Sequence, residues 1–184
     1  METKLNRIKE MSASNPKMVF TSLYHMINEN LLRICHKELD GKKATGVDNV
    51  TKDEYEVKLD ENLKDLVERL KRKSYKPKPS LRVYIPKING KTRPLGMAAY
   101  EDKLVQSALG RIQMAVYEPK FRNSMNGFRP GRSCHEAIKD LTMQIERSKI
   151  NYVVDADIKG FFNNVEHKSA LELIPYRIAD PNMI

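Results

Sequence analysis

At 184 residues with 40% hydrophobic content, the chain is long enough to bury a core, which excludes a wholly disordered polypeptide. Lysine and arginine number 33 against 24 aspartate and glutamate, and the resulting net charge of +9 favours a polyanionic partner such as nucleic acid. The sequence has no signal-like apolar start and no run long enough to span a membrane, so a cytoplasmic protein with no membrane partner is expected.

The N-terminal part of the chain is predicted to be mostly helical. Apolar residues at helical intervals predict one long helix over residues 17–36. A loop rich in glycine and lysine follows over residues 40–50. Thr51 and Glu54 then have the spacing of a capping box, so a second helix should begin there and bury a leucine stripe that reaches Leu70.

A strongly basic segment occupies residues 69–93, where ten lysine and arginine residues occur without a single acidic one. Three prolines prevent this segment from forming one continuous helix. The pattern instead predicts a linker followed by two strands, at residues 81–86 and 92–97, joined by a hairpin turn at Asn89 and Gly90.

Lys87 and Arg93 flank this turn and are candidates for binding a triphosphate, one as a point charge and the other through bidentate contacts. A two-residue loop would place them on opposite faces of the hairpin. A three-residue loop over 89–91 would pair Lys87 with Arg93 on one face, with Gly90 or its neighbour in the left-handed conformation. We predict the three-residue loop. The open alternative is that both residues make nonspecific phosphate contacts.

The C-terminal part should contain further helices and a short strand. Helices are predicted over residues 101–117 and 133–147, with Ser133 as the N-cap of the second. An apolar strand over 152–158 and a helix over 166–175 follow, and this mixture predicts an α+β fold. The inward face of the second helix is expected to consist of Ala137, Ile138, Leu141 and Ile145.

Asp155 and Asp157 lie near the end of the predicted strand, two residues apart, so their side chains should share one face. Carboxylates in this position suit Mg²⁺, an oxygen-preferring ion that keeps positions open for water and phosphate. The open alternative is that both simply face solvent or cap the next turn. A two-carboxylate nuclease is disfavoured because no comparable acidic motif occurs elsewhere.

Four segments, in order, resemble successive blocks of group II intron-encoded reverse transcriptases. They are residues 44–51, 85–96, 126–133 and 157–162. The resemblance implies the right-hand polymerase fold, with a fingers subdomain of helices and a β-hairpin over 1–150. The first strand and helix of an incomplete palm would then occupy residues 151–184.

Three places depart from the usual pattern of that family. Asn49 stands where glycine is usual, and Met97-Ala-Ala99 replaces the more common Ile-Pro-Thr. Asn163 occupies a position where aspartate is usual. The first two departures are expected to alter the fingers, and the third local hydrogen bonding, without touching catalysis.

The resemblance further implies that Asp157 is the catalytic residue and first Mg²⁺ ligand, with the backbone carbonyl of Ile158 as another ligand in a two-metal reaction. Two more carboxylates come from a Tyr-Xaa-Asp-Asp block in that family. This sequence contains no Asp-Asp dipeptide. The chain alone is therefore predicted to be inactive in DNA synthesis, with the missing C-terminal half or a second copy as its partner.

Residues that would hold the incoming dNTP also follow from the resemblance. Lys87 and Arg93 would bind the triphosphate, aided by backbone N–H groups near Gly160 and Phe161. Phe162 would lie beneath the sugar and exclude a 2′-hydroxyl, which selects dNTP over rNTP. The open alternative for Phe162 is a core aromatic beside Phe161.

Template or intron RNA would be gripped mainly through phosphate contacts and A-form shape. Arg129 is open to a second interpretation, as a structural arginine that ties its loop to an acidic neighbour. The candidate RNA contacts are Arg69, Lys71, Arg72, Lys73, Lys76, Lys78, Arg82, Arg129 and Arg132.

Two functions remain open at this point. The first is an N-terminal part of an RNA-directed DNA polymerase, whose full-length parent binds RNA, primer DNA and dNTP. The second is a noncatalytic RNA-binding module that supports intron splicing.

Overall fold

The computed structural model describes residues 2–88 and 90–183, except for the side chain of Glu2. The chain divides into two compact units, each described here by itself. The first contains Ser22–Met114 with the first five residues, and the second contains Asn6–Thr21 and Ala115–Ile184. No helix within the described residues is long and apolar enough to cross a membrane.

Helices α1 to α4 and one 3-10 helix make up the N-terminal part. Thr51 caps α3 through the predicted capping box: its side chain accepts from the Glu54 N–H, and the Glu54 carboxylate accepts from the Thr51 N–H. The bounds are Glu2–Ser14 for α1, Glu29–Glu38 for α2, Lys52–Glu56 for α3, Leu59–Lys71 for α4 and Tyr24–Met26 for the 3-10 helix.

Two predictions for this region were wrong. The helix expected over 17–36 forms only from Glu29 onward, apart from the 3-10 turn at Tyr24–Met26. Asn28 adopts an extended conformation, and its side chain caps α2 by accepting from the Leu31 N–H at 3.1 Å. The single helix expected after Thr51 is two helices, separated where Lys58 leaves helical backbone angles. Helix α1 was not predicted from the sequence.

The first unit has a leucine-rich core. The apolar faces of α2 and α4 pack together, and residues of α5 (Tyr100–Tyr117) complete the buried set. Each leucine side chain that is buried in this core contributes about 1.5–3 kcal/mol to stability relative to an exposed one. Fully buried side chains in this unit include Leu31, Leu32, Leu63, Leu66, Leu104 and Ile112.

The one sheet among the described residues is an antiparallel hairpin of β1 (Leu81–Pro86) and β2 (Thr92–Met97), with the predicted strand bounds. Both strands are exposed along nearly their whole length. The helix predicted over 101–117 is also confirmed as α5, which begins one residue earlier.

The second unit contains α6 (Cys134–Arg147) and α7 (His167–Leu173), close to their predicted bounds. The same unit contains short 3-10 helices at Glu118–Lys120, Phe161–Asn163 and Ile174–Tyr176. Ser133 is the N-cap of α6, as predicted, and it also forms a capping box with Glu136.

An N-terminal segment and a C-terminal segment join within this unit. Phe20 and Ile178 form an isolated parallel bridge and are both buried. The Arg177 guanidinium donates to the carbonyl of Pro16 and to Ser12 Oγ, and Ser12 Oγ donates in turn to the Val116 carbonyl at 2.6 Å. These bonds satisfy buried polar groups that would otherwise destabilise the fold.

Two further predictions were wrong in this unit. Residues 151–158 have no regular secondary structure, because the described part of the chain offers them no partner strand, and an unpaired strand leaves its backbone groups unsatisfied. No residue of α6 is buried. The side chains expected to face inward are exposed by 62% at Ile138, 50% at Leu141 and 45% at Ile145.

Candidate nucleic-acid interface

The hairpin turn has three residues, as predicted, but it begins one residue earlier. The Lys87 N–H donates to the Lys91 carbonyl at 2.7 Å, which closes the loop over residues 88–90. Gly90 has φ of +75°, the left-handed conformation that the last position of such a loop requires. This glycine therefore sets the register. Asn89, part of the predicted turn, lies outside the described residues.

The pairing predicted between Lys87 and Arg93 was wrong, whereas their common face follows from the observed register. Arg93 lies opposite Ile85, and Lys87 lies opposite Lys91. Because side chains alternate along a strand, these four residues all belong to one face of the hairpin. Further along the same face are apolar side chains that are 39–42% exposed: Leu81, Val83, Ile85 and Leu95. The hairpin thus combines an apolar face with a cluster of three cations at its tip.

Between α4 and the hairpin, the basic linker is anchored by hydrogen bonds. Asp102, in the first turn of α5, accepts from the Tyr75 hydroxyl and from the Lys78 N–H at 3.0 Å. Lys78 Nζ also forms an ion pair of 3.2 Å with Asp48. Lys78, expected to contact RNA, is therefore engaged within the protein. Asp48 and Asp102 were missed from the sequence, although an acidic first turn directly after a basic segment was a usable signal.

Arg69 is likewise held within the protein. Its guanidinium donates to both carboxylate oxygens of Glu101, at 2.8 and 2.9 Å, and to Asp65 at 2.7 Å. Tyr55 also donates to Glu101, at 3.3 Å, and burial together with this neighbouring carboxylate raises the pKa of Tyr55. The Arg69 guanidinium therefore links α4 to α5 and is engaged within the protein.

The other candidate RNA contacts in this region are exposed. Arg72 makes a long surface ion pair with Glu68, at 3.5 Å, which competes little with a phosphate. Lys73 has φ of +56°, the conformation that ends α4 by returning the Ser74 N–H to the Arg69 carbonyl. The exposed basic side chains here are Lys71, Arg72, Lys73, Lys76 and Arg82.

Arg129 is a structural arginine that ties its loop to an acidic neighbour, which was the alternative to an RNA contact. Its guanidinium donates to Glu118 and to the carbonyls of Arg122 and Met125, and it lies 5.4 Å from the ring centroid of Phe121. Only 7% of its side chain is exposed. These bonds with Arg129 lower the pKa of Glu118. We therefore no longer expect Arg129 to contact RNA.

Arg132 lies in the same loop as Arg129. Its guanidinium donates to Asn123 Oδ1 at 3.3 Å, and the residue is partly exposed. It therefore has donors available for an RNA phosphate.

The segment that carries Asp157 is exposed throughout. Asp155 and Asp157 are both exposed, and the strand that was expected to give them a common face is not formed. Gly160 takes φ of +66° and begins a 3-10 turn, within which the Asn164 side chain donates to the Gly160 carbonyl at 2.8 Å. This hydrogen bond is made by Asn164. It therefore does not involve Asn163, the neighbouring residue that stands where the family usually has aspartate.

Two aromatic rings follow Gly160 in this turn. The Phe161 and Phe162 rings meet edge to face, with centroids 5.3 Å apart. Phe162 is 80% exposed, so within the described structure it is not a core aromatic.

A complete metal site is not present among the described residues, since no three His, Cys, Asp or Glu side chains there are grouped to hold an ion. Asp157 and the exposed Ile158 lie in a segment without regular structure and do not by themselves fit Mg²⁺, which requires several fixed oxygen ligands.

Comparison with known proteins gives the family. Residues 76–181 match the sequence profile of the reverse transcriptase (RNA-dependent DNA polymerase) family. The chain belongs to this family. It is 36% identical over 181 residues to the group II intron-encoded protein LtrA of Lactococcus lactis subsp. cremoris, covering 97% of this chain and 30% of LtrA.

Two other relatives extend this similarity. Protein YkfC of Escherichia coli K12 is 33% identical over 181 residues, covering 95% of this chain and 48% of YkfC. The putative COX1/OXI3 intron 2 protein of Saccharomyces cerevisiae is 25% identical over 182 residues, covering 97% of this chain and 21% of the yeast protein. The resemblance to group II intron-encoded reverse transcriptases is thereby confirmed. The chain spans less than half the length of each relative.

Proposed function

We propose that this chain is the fingers and the start of the palm of a group II intron-encoded RNA-directed DNA polymerase, and that it binds template or intron RNA. The family match over residues 76–181 supports the polymerase assignment. The net charge of +9 supports an RNA partner, because lysine and arginine release condensed counterions from phosphates.

One observation carries the proposal furthest: the register of the hairpin, which gives Lys87, Lys91 and Arg93 a common face. Three cations at the end of a narrow element can meet several phosphate oxygens at once, and the arginine adds bidentate geometry. In the parent enzyme, we propose that Lys87 and Arg93 bind the triphosphate of the incoming dNTP.

Separate roles are proposed for the exposed turn near Asp157. Asp157 and the Ile158 carbonyl would each supply one Mg²⁺ ligand in the parent, with the other carboxylates supplied from outside this sequence. Backbone N–H groups at Gly160 and Phe161 would bind phosphate, and the exposed Phe162 ring would exclude a 2′-hydroxyl. Because a single carboxylate cannot hold two Mg²⁺ ions, the chain alone should not synthesise DNA.

RNA binding is tested by measuring the affinity of the purified chain for a single-stranded RNA over a range of salt concentrations. Lys76→Gln and Arg82→Gln, at two exposed candidate RNA contacts, should each weaken binding and reduce the salt slope by about 0.7 for each phosphate contact that is lost. Lys58→Gln is the matched control, because it also removes an exposed positive charge but at the N-cap of α4. Equal effects at all three positions would contradict a specific role for the basic segment in RNA binding.

Polymerase function is tested by supplying the C-terminal portion of a relative such as LtrA as a second polypeptide and measuring deoxynucleotide addition to a primer. Synthesis is expected with the wild-type chain and should be lost in Asp157→Ala. Asp155→Asn, which changes the neighbouring carboxylate, should retain activity. Synthesis by the chain alone would overturn the proposed inactivity.

The net charge of +9 and the exposed lysines and arginines also support a second candidate, a noncatalytic RNA-binding module that supports splicing, because RNA binding through these side chains does not require Asp157. RNA affinity that is unchanged in Asp157→Ala, together with no synthesis in the two-polypeptide assay and faster splicing of an intron RNA, would support this function.

A further inference from the structure

We infer that Asp102 is a positioning residue for RNA binding: it fixes the linker over residues 72–80, so that Lys73 and Lys76 are ordered for contact with phosphates before RNA binds. This inference deepens the proposed RNA-binding function and rests on it. Asp102 itself is 3% exposed and cannot contact RNA.

Both carboxylate oxygens of Asp102 bind the linker. Oδ1 accepts from the Tyr75 hydroxyl, and Oδ2 accepts from the backbone N–H of Lys78 at 3.0 Å. One side chain therefore fixes two points of the linker, three residues apart. Hydrogen bonds to an ionised acceptor are about twice as strong as those between neutral groups, so these contacts are strong enough to order a short segment.

Additional contacts fix both ends of the linker. Just before the linker, at the end of α4, the Arg69 guanidinium binds Glu101, the residue that precedes Asp102 in α5. Towards its end, Lys78 Nζ forms an ion pair with Asp48, whose side chain is 11% exposed. The first turn of α5 and the loop that contains Asp48 thus hold the linker from two directions within the first unit.

The linker backbone has little freedom once these contacts form. Pro77 and Pro79 restrict φ on either side of Lys78, and Lys73 is already in the left-handed conformation. Lys73 and Lys76 remain exposed between the fixed points. A segment ordered in advance loses less entropy when it binds, so RNA affinity should depend on Asp102 although Asp102 touches no RNA.

Asp102→Asn separates positioning from simple electrostatics because the two effects have opposite signs. The substitution removes one negative charge, so the net charge rises from +9 to about +10, which by charge alone would tighten RNA binding. Loss of positioning weakens binding instead. We expect an affinity loss of roughly five- to tenfold for a single-stranded RNA at fixed salt.

The salt dependence distinguishes positioning from contact. Asp102→Asn keeps every lysine, so its salt slope should match that of the wild-type chain. Lys76→Gln removes a contact, so its slope should fall by about 0.7. Glu61→Gln, on the exposed surface of α4, also removes one negative charge and serves as the matched control; it should bind RNA at least as tightly as the wild type.

Amide hydrogen exchange supplies a readout that does not involve RNA. The Lys78 amide should be protected in the wild-type chain and should exchange faster in Asp102→Asn. Tyr75→Phe removes a single hydrogen bond and keeps the carboxylate, so it should show a smaller loss of affinity, of roughly two- to threefold, even if Asp102→Asn proves unstable.

The outcomes also separate the inference from the proposed function. If the wild-type chain lacks salt-dependent RNA affinity, the proposed function fails and the positioning role fails with it. If the wild type binds RNA but Asp102→Asn or Tyr75→Phe binds equally well despite faster exchange at Lys78, the positioning role alone is overturned.

Discussion

Gly46 lies so close to Ala99 that a Cβ atom added to the glycine would come within 2.5 Å of the Ala99 backbone nitrogen. The carbonyl group of Ala98 is equally near, at 2.6 Å. Since backbone atoms cannot move aside as a flexible side chain can, the loop over residues 44–51 packs against the start of α5 only because position 46 has no side chain.

Gly46→Ala should therefore lower the free energy of unfolding, by about 1–3 kcal/mol. Gly110→Ala is the matched control, because Gly110 lies within α5 and an added Cβ would meet nothing within 4 Å. That control should raise the free energy of unfolding by about 0.5–1 kcal/mol, since alanine favours the helix. Urea denaturation of the two variants checks both signs, and equal stabilisation would contradict the close packing.

Asn49 should accept glycine but not a β-branched residue. Its φ of +52° is left-handed, and its N–H donates to the Gly46 carbonyl at 3.1 Å. Asn49→Gly should change stability by less than about 0.5 kcal/mol, whereas Asn49→Val should lower it by about 1–2 kcal/mol. The side chain is exposed, so loss of packing would not explain the difference. Thermal unfolding of both variants at one pH measures it.

Glu118 should make stability depend on pH in the acidic range. Hydrogen bonds from Arg129 hold its pKa below the ordinary value of 4.5, so its contribution is complete above that pH and is lost as the pH falls through the lowered pKa. Glu118→Gln should cost roughly 1–3 kcal/mol at pH 7. The cost should shrink in acid. Urea midpoints at pH 7 and pH 3 test this.

A surface ion pair supplies the comparison for that experiment. Glu68 and Arg72 are 3.5 Å apart and both largely exposed, so Glu68→Gln should cost less than about 0.5 kcal/mol at pH 7. If the two glutamate variants lose the same stability, the burial of the Arg129 pair has no energetic consequence.

His36 should produce a separate pH effect closer to neutrality. Burial lowers its pKa from the ordinary 6.5, so the fold favours the neutral ring, and stability should decrease as the pH falls below 6.5 through the lowered value. The difference in urea midpoint between pH 7.5 and pH 5.5 should be smaller in His36→Gln than in the wild type. His135→Gln, which replaces an exposed histidine of α6, is the matched control.

Local signals in the sequence were sufficient for several elements. The capping box at Thr51 and the N-cap at Ser133 mark the starts of α3 and α6, and alternation with proline and glycine predicts both hairpin strands. These patterns depend on residues within a few positions of one another, so no tertiary information is needed.

Predictions failed where a distant residue decides the structure. Arg129 was predicted to contact RNA because it is an arginine in a loop of a basic chain. Its guanidinium instead binds Glu118, eleven positions away. The Asp102 contacts with Tyr75 and Lys78 join segments more than twenty residues apart. Residues 152–158 have strand propensity, but propensity without a pairing neighbour does not make a strand.

The uncovered leucine and isoleucine side chains of α6 have a practical consequence for the colloidal behaviour of the isolated chain. At low ionic strength, repulsion between molecules of charge +9 should keep them apart. Added salt screens that repulsion and leaves the apolar attraction, so precipitation should increase over the same range in which RNA affinity decreases. Salt titrations with RNA therefore need dilute protein, with light scattering recorded in parallel.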